Sequence, residues 1–440
     1  MTQIAFLTLF LGLTLGPQPV ELTVTGPVAA VEILLDGAPV ARLDGPPWSG
    51  RIDFGQELLP HELVARALDE QGTELGRARQ WVNLPRSQAE MEVLFEQGEG
   101  GRRVAGRLIW RSLTGESPSA LAVTFDGEPL IPDAEGRVVL PAHDLETAHV
   151  LSVEARFSGS LVVRKDVAFG GDLGDEVSTE LTAVPIRLRP GQRLPPPERM
   201  RGWFLSGGKP LTVAAVEEGP AELFVVRDLA TESALRELDA LSRSRSSIEE
   251  VKENPESRRY FLMLDKEDTV NLVWAVPRSV SGDSGPADLF PTSRPLGAED
   301  GGLFWFLLRA EPQVDDPGKQ RLSDAVAVGG LKALYGNRRR AVLLVLGERP
   351  NDLSRSDPAR VRRYLESIRV PLFVWTLGDP TAAGAWGESV EIRSTGKMRK
   401  AFAQLEKALA TQRIVWLDGR HLPQSIELAP AAAAVLEAVR

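Results

Sequence analysis

The sequence predicts a multidomain protein in which two β-sandwich domains precede an α/β domain with a mostly parallel sheet. Three observations support this fold class. The chain has 440 residues, enough for about two to four domains. Residues 20–188 are short strands with alternating apolar positions, separated by turns, as in sandwiches. After residue 210, continuous apolar strands alternate with helical patterns, which indicates a parallel sheet covered by helices.

The composition excludes several functional classes. Hydrophobic residues make up 43% of the chain and charged residues 25%, which is typical of soluble globular proteins. The formal charge of −10 argues against a nucleic-acid partner, because such binding needs a basic surface. Cysteine is absent, which excludes disulfides, thiolate metal sites and cysteine nucleophiles. No pattern in the sequence suggests a cofactor, so we expect none.

The first residues are apolar and uncharged. Ile4 to Leu15 reads IAFLTLFLGLTL and is followed by the helix breaker GPQP. The run is shorter than the roughly 20 residues that span a bilayer, and it is typical of a secretory signal. No Lys or Arg precedes it, and a buried N-terminal strand or helix is the alternative. The sequence thus predicts a signal peptide at 1–18 and export to the periplasm or the exterior, with no membrane span in the mature chain.

The first sandwich is predicted at residues 19–86. Its strands are separated by turn signals, among them Asp36-Gly37, which favours a hairpin. The stretch VEILLDGAPVARLDGPPW resembles bacterial immunoglobulin-like domains, whose pattern is matched by Val31, Glu32, Asp36, Gly37, Val40, Pro47 and Trp48. The resemblance implies a module that spaces or presents other domains and has no chemistry of its own.

A second sandwich is predicted at residues 87–188. Its strands have the same texture, and Asp126-Gly127 repeats the hairpin signal within DGEPL, as Asp36-Gly37 does within DGAPV. Residues 189–204 contain the Pro- and Arg-rich run RPGQRLPPPERMR, which predicts a stiff and exposed linker.

The last predicted domain covers residues 205–440. Its expected strands include Ala221–Val226, Val270–Val276, Leu303–Leu308, Ala341–Leu346, Val370–Leu377 and Ile414–Leu417. Ser233 is expected to cap the helix after the first of these strands, Asp357 the helix that opens with Pro358, and Thr395 the last long helix.

The order of these elements, with the stretches RLSDAVAVGGLKAL and RAVLLVLGERPND, resembles a von Willebrand factor A domain over residues 220–440. The resemblance implies a metal site at the carboxyl ends of the strands. Such a site needs D-x-S-x-S after the first strand, a Thr in a later loop and an Asp after the fourth strand. Oxygen ligands of this kind fit Mg²⁺.

This sequence departs from that pattern at each point. Arg227-Asp228 follows the first strand, Gln320 or Arg321 falls at the Thr position, and Leu346 falls at the Asp position. The sequence therefore predicts that the metal site is lost. A rearranged site using Asp228, Ser233 or Asp352 is the alternative, although each of these residues could simply cap a helix or hold a loop.

The predicted function is non-enzymatic protein binding or adhesion through a metal-independent von Willebrand A-like domain. Open α/β sheets bind ligands at the carboxyl ends of their strands. The residues expected to contact the unidentified protein partner are Arg227, Asp228, Ser233, Arg349 and Asn351. No catalytic, cofactor-binding or metal-binding residue is predicted. The alternatives are a structural envelope or spacer protein and an enzyme with an unrecognised site.

Overall fold

The structure is a computed structural model, and it separates the chain into two compact units, Met1–Arg86 and Ser87–Arg440. The two units are described separately below. The residues described are 2–10, 12–85, 89–98, 103–112, 117–133, 135–144, 146–157, 162–171, 181–243, 267–277, 290–297 and 317–439. The strand predicted at 303–308 lies outside these residues.

The first unit is a sandwich of two antiparallel sheets. One sheet has the order β1-β2-β5 and the other β4-β3-β6-β7. Alternate residues of the strands point inward, as the period-two pattern requires; they are buried in β2, β3, β5, β6 and β7 and partly buried in β1 and β4. The strands are β1 Gln3–Phe6, β2 Pro17–Thr25, β3 Ala30–Leu35, β4 Ala38–Leu43, β5 Ser49–Asp53, β6 His61–Leu68 and β7 Glu74–Val82.

The second unit begins with another sandwich of the same topology. Its sheets have the orders β8-β9-β12 and β11-β10-β13-β14, so every strand matches the first sandwich with its number raised by seven. The strands are β8 Ala89–Gln97, β9 Arg103–Ser112, β10 Ala120–Phe125, β11 Glu128–Leu130, β12 Arg137–Val139, β13 Ala148–Arg156 and β14 Val162–Gly170. The repeated Asp-Gly turns are thus equivalent positions of two similar sandwiches.

Two antiparallel sheets follow, built from chain segments that are far apart in sequence. Their orders are β18-β24-β15-β26 and β17-β16-β25. The strands are β15 Leu181–Leu188, β16 Phe204–Ser206, β17 Lys209–Pro210, β18 Val213–Glu217, β24 Gln412–Asp418, β25 Ile426–Leu428 and β26 Leu436–Ala438. Residues 218–411 are inserted between the two halves of this antiparallel domain.

This domain corrects two expectations. The segment 189–204 is not an exposed linker, because Met200 is fully buried in the core of the antiparallel domain. The strand expected at Ile414–Leu417 is present as β24, but it pairs antiparallel with β15 and β18. Since β24 is buried on both faces, its sequence cannot be distinguished from that of a parallel strand.

The inserted segment contains a five-stranded sheet in which all strands are parallel, in the order β20-β19-β21-β22-β23. Its strands are β19 Ala221–Arg227, β20 Thr269–Val273, β21 Arg339–Leu346, β22 Leu372–Thr376 and β23 Val390–Glu391. The described helices are α1 Glu232–Arg243, α2 Leu322–Ala333, α3 Pro358–Ser367 and α4 Thr395–Ala410, with a short α5 Pro430–Ala433 in the antiparallel domain.

Helices cover both faces of the parallel sheet. Leu223 and Leu343 pack with α1 and α4 on one face. On the other face, Gly329 of α2 lies against Phe224 and Val342. This arrangement confirms the coarse prediction of antiparallel sandwiches followed by a parallel sheet with helices.

The helix caps partly differ from expectation. Asp357 caps α3 as predicted, with its side chain accepting from Arg360 N at 2.8 Å. Ser394, and not Thr395, caps α4. Ser233 caps no helix, because Asp228 caps a 3-10 turn at Leu229–Thr231 that leads directly into α1.

Candidate functional site

The candidate site lies where β19 and β21 end. These strands are parallel neighbours in the sheet, so the loops that follow them meet at one edge. A direct hydrogen bond joins the loops, because Gly347 N donates to Asp228 Oδ2 at 3.0 Å. The structure thus brings the predicted residue Asp228 against the loop that contains the predicted residues Arg349 and Asn351.

Asp228 is fully buried, and its carboxylate is held by protein donors. Oδ1 accepts from Ala230 N at 3.0 Å and from Gln320 Nε2 at 2.8 Å, in addition to the bond between Oδ2 and Gly347. A buried carboxylate is tolerated when such donors replace its lost hydration. The Asp228 side chain therefore holds loops together.

Gln320 connects three segments at this edge. Its Nε2 donates to Asp228, its Oε1 accepts from Leu229 N at 3.0 Å, and its backbone oxygen accepts from Leu353 N at 2.9 Å. The residue is almost completely buried. In the sequence, Gln320 was one of two candidates for an expected Thr position, and its role as a connector was not predicted.

Two further carboxylates fix the loop after β21. Asp352 accepts from the backbone and hydroxyl of Ser323 at 3.1 and 2.5 Å, and from those of Ser354 at 3.0 and 2.5 Å. Asp324 accepts from the backbone nitrogens of Arg355 and Ser356 at 3.0 and 3.2 Å. The amino end of α2 is thereby tied to this loop at several points.

The fixed loop presents apolar and cationic groups to solvent. Leu353 is 58% exposed, and Arg349, Asn351 and Arg355 are exposed beside it in sequence. Asn351 Nδ2 donates to Gly318 O at 3.3 Å. Within the described part of the chain, neither Arg349 nor Arg355 forms a side-chain ion pair. Because the backbone is already held, a partner would pay little entropy to order this loop.

The other two predicted residues are placed differently. Arg227 is the last residue of β19 and is 9% exposed, so it offers little surface to a partner. Ser233 is exposed in the first turn of α1.

The metal site that the resemblance implies does not fit these residues. The Asp228 carboxylate is occupied by three N–H donors, one of them the amide of Gln320, and Leu346 is an apolar and fully buried strand residue. Across the described ranges, no cluster of three or more His, Asp or Glu side chains is arranged to hold a metal ion.

The histidines belong to the packing of the antiparallel sheets. His143 and His149 are buried with ring centroids 5.2 Å apart, and both rings contact Phe169. His421 Nε2 lies 2.8 Å from Asp418 O, in a local turn.

Comparisons with known proteins leave the family open. A scan against protein-family models and a search of curated proteins each found no match. Among solved structures, fibronectin(III)-like modules of Clostridium thermocellum CbhA are 13% identical, cover 18% of this chain and 93% of their own, and have a TM-score of 0.17.

Two larger structures are similar over larger shares of the chain. A β-glucuronidase from glycoside hydrolase family 2 is 12% identical over 39% of this chain and 20% of its own, with a TM-score of 0.18. The human COPII-coat protein Sec24c is 9% identical over 50% of this chain and 44% of its own, with a TM-score of 0.24. The chain thus spans less than half of either structure, and likeness at this level says nothing about its activity. In the described residues, every helix is too short or too polar to cross a membrane.

Proposed function

We propose that this chain is a non-enzymatic, exported protein that binds a protein partner through a von Willebrand A-like α/β domain without a metal ion. The observation that carries the proposal is the saturated carboxylate of Asp228. Its two oxygens accept hydrogen bonds from Gln320 Nε2, Ala230 N and Gly347 N. Protein donors, and not a metal ion, therefore connect the loops in this proposal. A site of this kind needs no cation to be folded.

The binding surface in this proposal is the fixed loop after β21. Exposed Leu353 can bury apolar area against a partner, while the guanidinium groups of Arg349 and Arg355 can pair with carboxylates as planar forks. Arginine and apolar anchors surrounded by polar groups are typical of protein interfaces. Asn351 adds a further donor at the same edge.

Affinity capture from native envelope extract with the immobilised full-length chain tests the proposal. We expect one or more proteins to be captured equally well with and without EDTA. Leu353→Asp and Arg349→Glu should reduce capture at least tenfold without lowering the melting temperature. Lys400→Glu makes the same charge change on an exposed position of α4 and should leave capture unchanged. Capture that survives both loop variants would rule out this surface.

The absence of a metal has its own test. We expect calorimetric titration of Mg²⁺, Mn²⁺ and Ca²⁺ into the full-length chain to show no specific binding. Saturable one-site binding with a dissociation constant below about 1 mM, lost in Asp228→Ala, would show that a rearranged site exists.

Arg227→Ala separates binding from a structural role at the end of β19. The residue is buried, so we expect the variant to lower the free energy of unfolding by about 1–3 kcal/mol. This loss corresponds to a fall of several degrees in the melting temperature. A stable variant with weakened capture would instead assign Arg227 to partner binding. A stable variant with normal capture would eliminate that role.

Export is the remaining part of the proposal. Its support is the uncharged apolar run at Ile4–Leu15. The structure forms the alternative there, a strand, since Gln3–Phe6 pairs antiparallel with β2. Intact-mass analysis of the protein recovered from cells decides between a cleaved signal and a retained strand. A mass that lacks about the first 18 residues supports the signal, and a mass that includes residues 1–18 excludes cleavage.

A further inference from the structure

The loop between α2 and β21 is bound to the second sandwich by three consecutive residues. Gly336 O accepts from Arg164 Nη1 at 2.6 Å, and Asn337 Nδ2 donates to Asp166 Oδ2 at 3.2 Å. Arg338 Nη2 donates to Glu154 at 2.6 Å. These contacts join the inserted α/β segment to β13 and β14 within the second unit.

The partners of this loop are buried. The Arg164 side chain is 5% exposed and donates to Asp166 at 2.8 Å, while its guanidinium lies 5.5 Å from the ring centroid of Trp416. Glu217 accepts from Trp416 Nε1 at 3.1 Å and from Arg164 at 3.4 Å. Charged groups in such surroundings depend strongly on one another, because water does not screen them.

Glu222 lies directly beneath the loop. Its Oε1 accepts from Asn271 Nδ2 of β20 at 3.0 Å. Its Oε2 faces Gly336 so closely that a Cβ at that glycine would lie 2.7 Å from it. The charged groups around it are Arg338 in the loop, Glu154 and Arg156 on β13, and Arg340, its register neighbour on β21.

The carboxyl group of Glu222 competes with Glu154 for one cation. When Glu222 is neutral, Arg338 is free to bond Glu154 and close the loop onto β13. When Glu222 is ionised in this enclosed position, it attracts the same guanidinium and repels Glu154. Although the residue keeps some exposed surface, burial of its carboxyl end raises the pKa to about 7, with Arg338 opposing the rise.

We propose that the Gly336–Arg338 loop is a latch on the second sandwich that is closed while Glu222 is protonated and loosens when Glu222 ionises. The latch is connected to the candidate site through α2. This helix begins beside Asp352 and Ser354, which bond Ser323 and Asp324, and it ends at Ala333, three residues before Gly336. Loosening at one end of a rigid helix is therefore expected to reach the other.

Hydrogen exchange of the full-length chain between pH 6 and 8.5 tests the latch without any partner. After correction for intrinsic exchange, we expect protection of the amides in residues 334–338 to fall about tenfold across this range. This factor follows if the pKa of Glu222 is about 7 in the closed state and 4.5 in the open state. Protection at Ser323 and Asp324 should fall in parallel. The amides in the middle of β21 exchange through global unfolding, which also returns Glu222 to its ordinary pKa, so the amides of residues 334–338 should exchange faster than those of β21 throughout this range. Exchange of both groups at the same rate would overturn the latch.

Glu222→Gln should abolish the pH dependence and keep the latch closed. Glu218→Gln, at a neighbouring carboxyl that is 65% exposed, should behave like the natural sequence. Glu154→Gln provides a second variant, since it frees Arg338 to pair with Glu222 and should shift the midpoint to lower pH. A pH-independent natural chain, or a Glu154→Gln midpoint that does not move, would overturn the latch. Neither outcome bears on the proposed partner binding, which is measured separately.

Discussion

The two sandwiches carry charged side chains at the same sheet position, but the charges are exposed in the first and buried in the second. In the first, Arg66 on β6 lies opposite Arg77 on β7. In the second, the equivalent pair is Glu154 on β13 and Arg164 on β14. Arg66 and Arg77 pair with Glu74 at the surface, where the three side chains are between 28% and 49% exposed. The side chains of Glu154 and Arg164 are only 8% and 5% exposed.

The difference shows that topology does not decide the energetic weight of an ion pair. Exposed pairs contribute little, because water and salt screen them and long side chains lose entropy. Buried charges are costly to desolvate, so removing one partner leaves the other without compensation. The second sandwich buries its charges because β18, β24 and the Gly336–Arg338 loop contact β13 and β14.

The strongest test of this comparison removes the equivalent arginines one at a time. We expect Arg164→Ala to destabilise the second unit by about 3–5 kcal/mol, because Asp166 and Glu217 lose their buried partner. Denaturant unfolding monitored by tryptophan fluorescence measures the loss. Arg77→Ala is the matched control in the first unit and should barely change stability. Equal effects of the two substitutions would contradict the role given to burial.

A second test concerns a contact that both sandwiches share. Asp36 lies 2.7 Å from His61 Nδ1 and accepts from Glu62 N at 2.8 Å, and its φ is 51°. Asp126 has the same two distances to His149 and Val150, and its φ is 52°.

We expect Asp36→Ala and Asp126→Ala each to cost about 2 kcal/mol, because each loses two hydrogen bonds and places alanine at a positive φ. Thermal unfolding of each variant measures the cost. Because the contacts are the same, the two losses should agree within about 1 kcal/mol, and a large effect in only one sandwich would show that they are not equivalent.

The smallest expected effect is a difference in the sign of pH dependence. The hydrogen bond from Arg77 lowers the pKa of Glu74, so its contribution is present above the ordinary value of 4.5 and is lost as the pH falls through the folded pKa. Burial raises the pKa of Glu217, with Arg164 opposing, so its contribution is complete below 4.5 and is lost as the pH rises through the folded pKa.

Melting curves between pH 3 and 8 compare Glu74→Gln and Glu217→Gln with the natural sequence. Glu74→Gln should weaken the acid-side loss of stability in the first unit. Glu217→Gln should weaken the loss on the alkaline side in the second unit. Slopes of the same sign would mean that both carboxyls are equally solvated, which would contradict the comparison.

The sequence by itself determined the local elements of this protein. Period-two alternation and the Asp36-Gly37 and Asp126-Gly127 turns identified the sandwich strands, since those signals lie within a few residues of one another. Continuous apolar runs identified β19 and β21, and Asp357-Pro358 identified the start of α3. The edge where Asp228 meets the loop after β21 followed from the parallel order of the strands.

Only the tertiary structure decided how distant segments combine. The pairing of β15 with β24 joins residues more than two hundred positions apart, and a strand buried on both faces has no period that reveals its partner. Gln320 became a connector because its amide meets Asp228 and Leu229 across the fold. The burial of Arg164 and the exposure of Arg77 were likewise decided by the tertiary structure. Segments that are distant in sequence exclude water from Arg164, and the local sequence of either arginine does not show this.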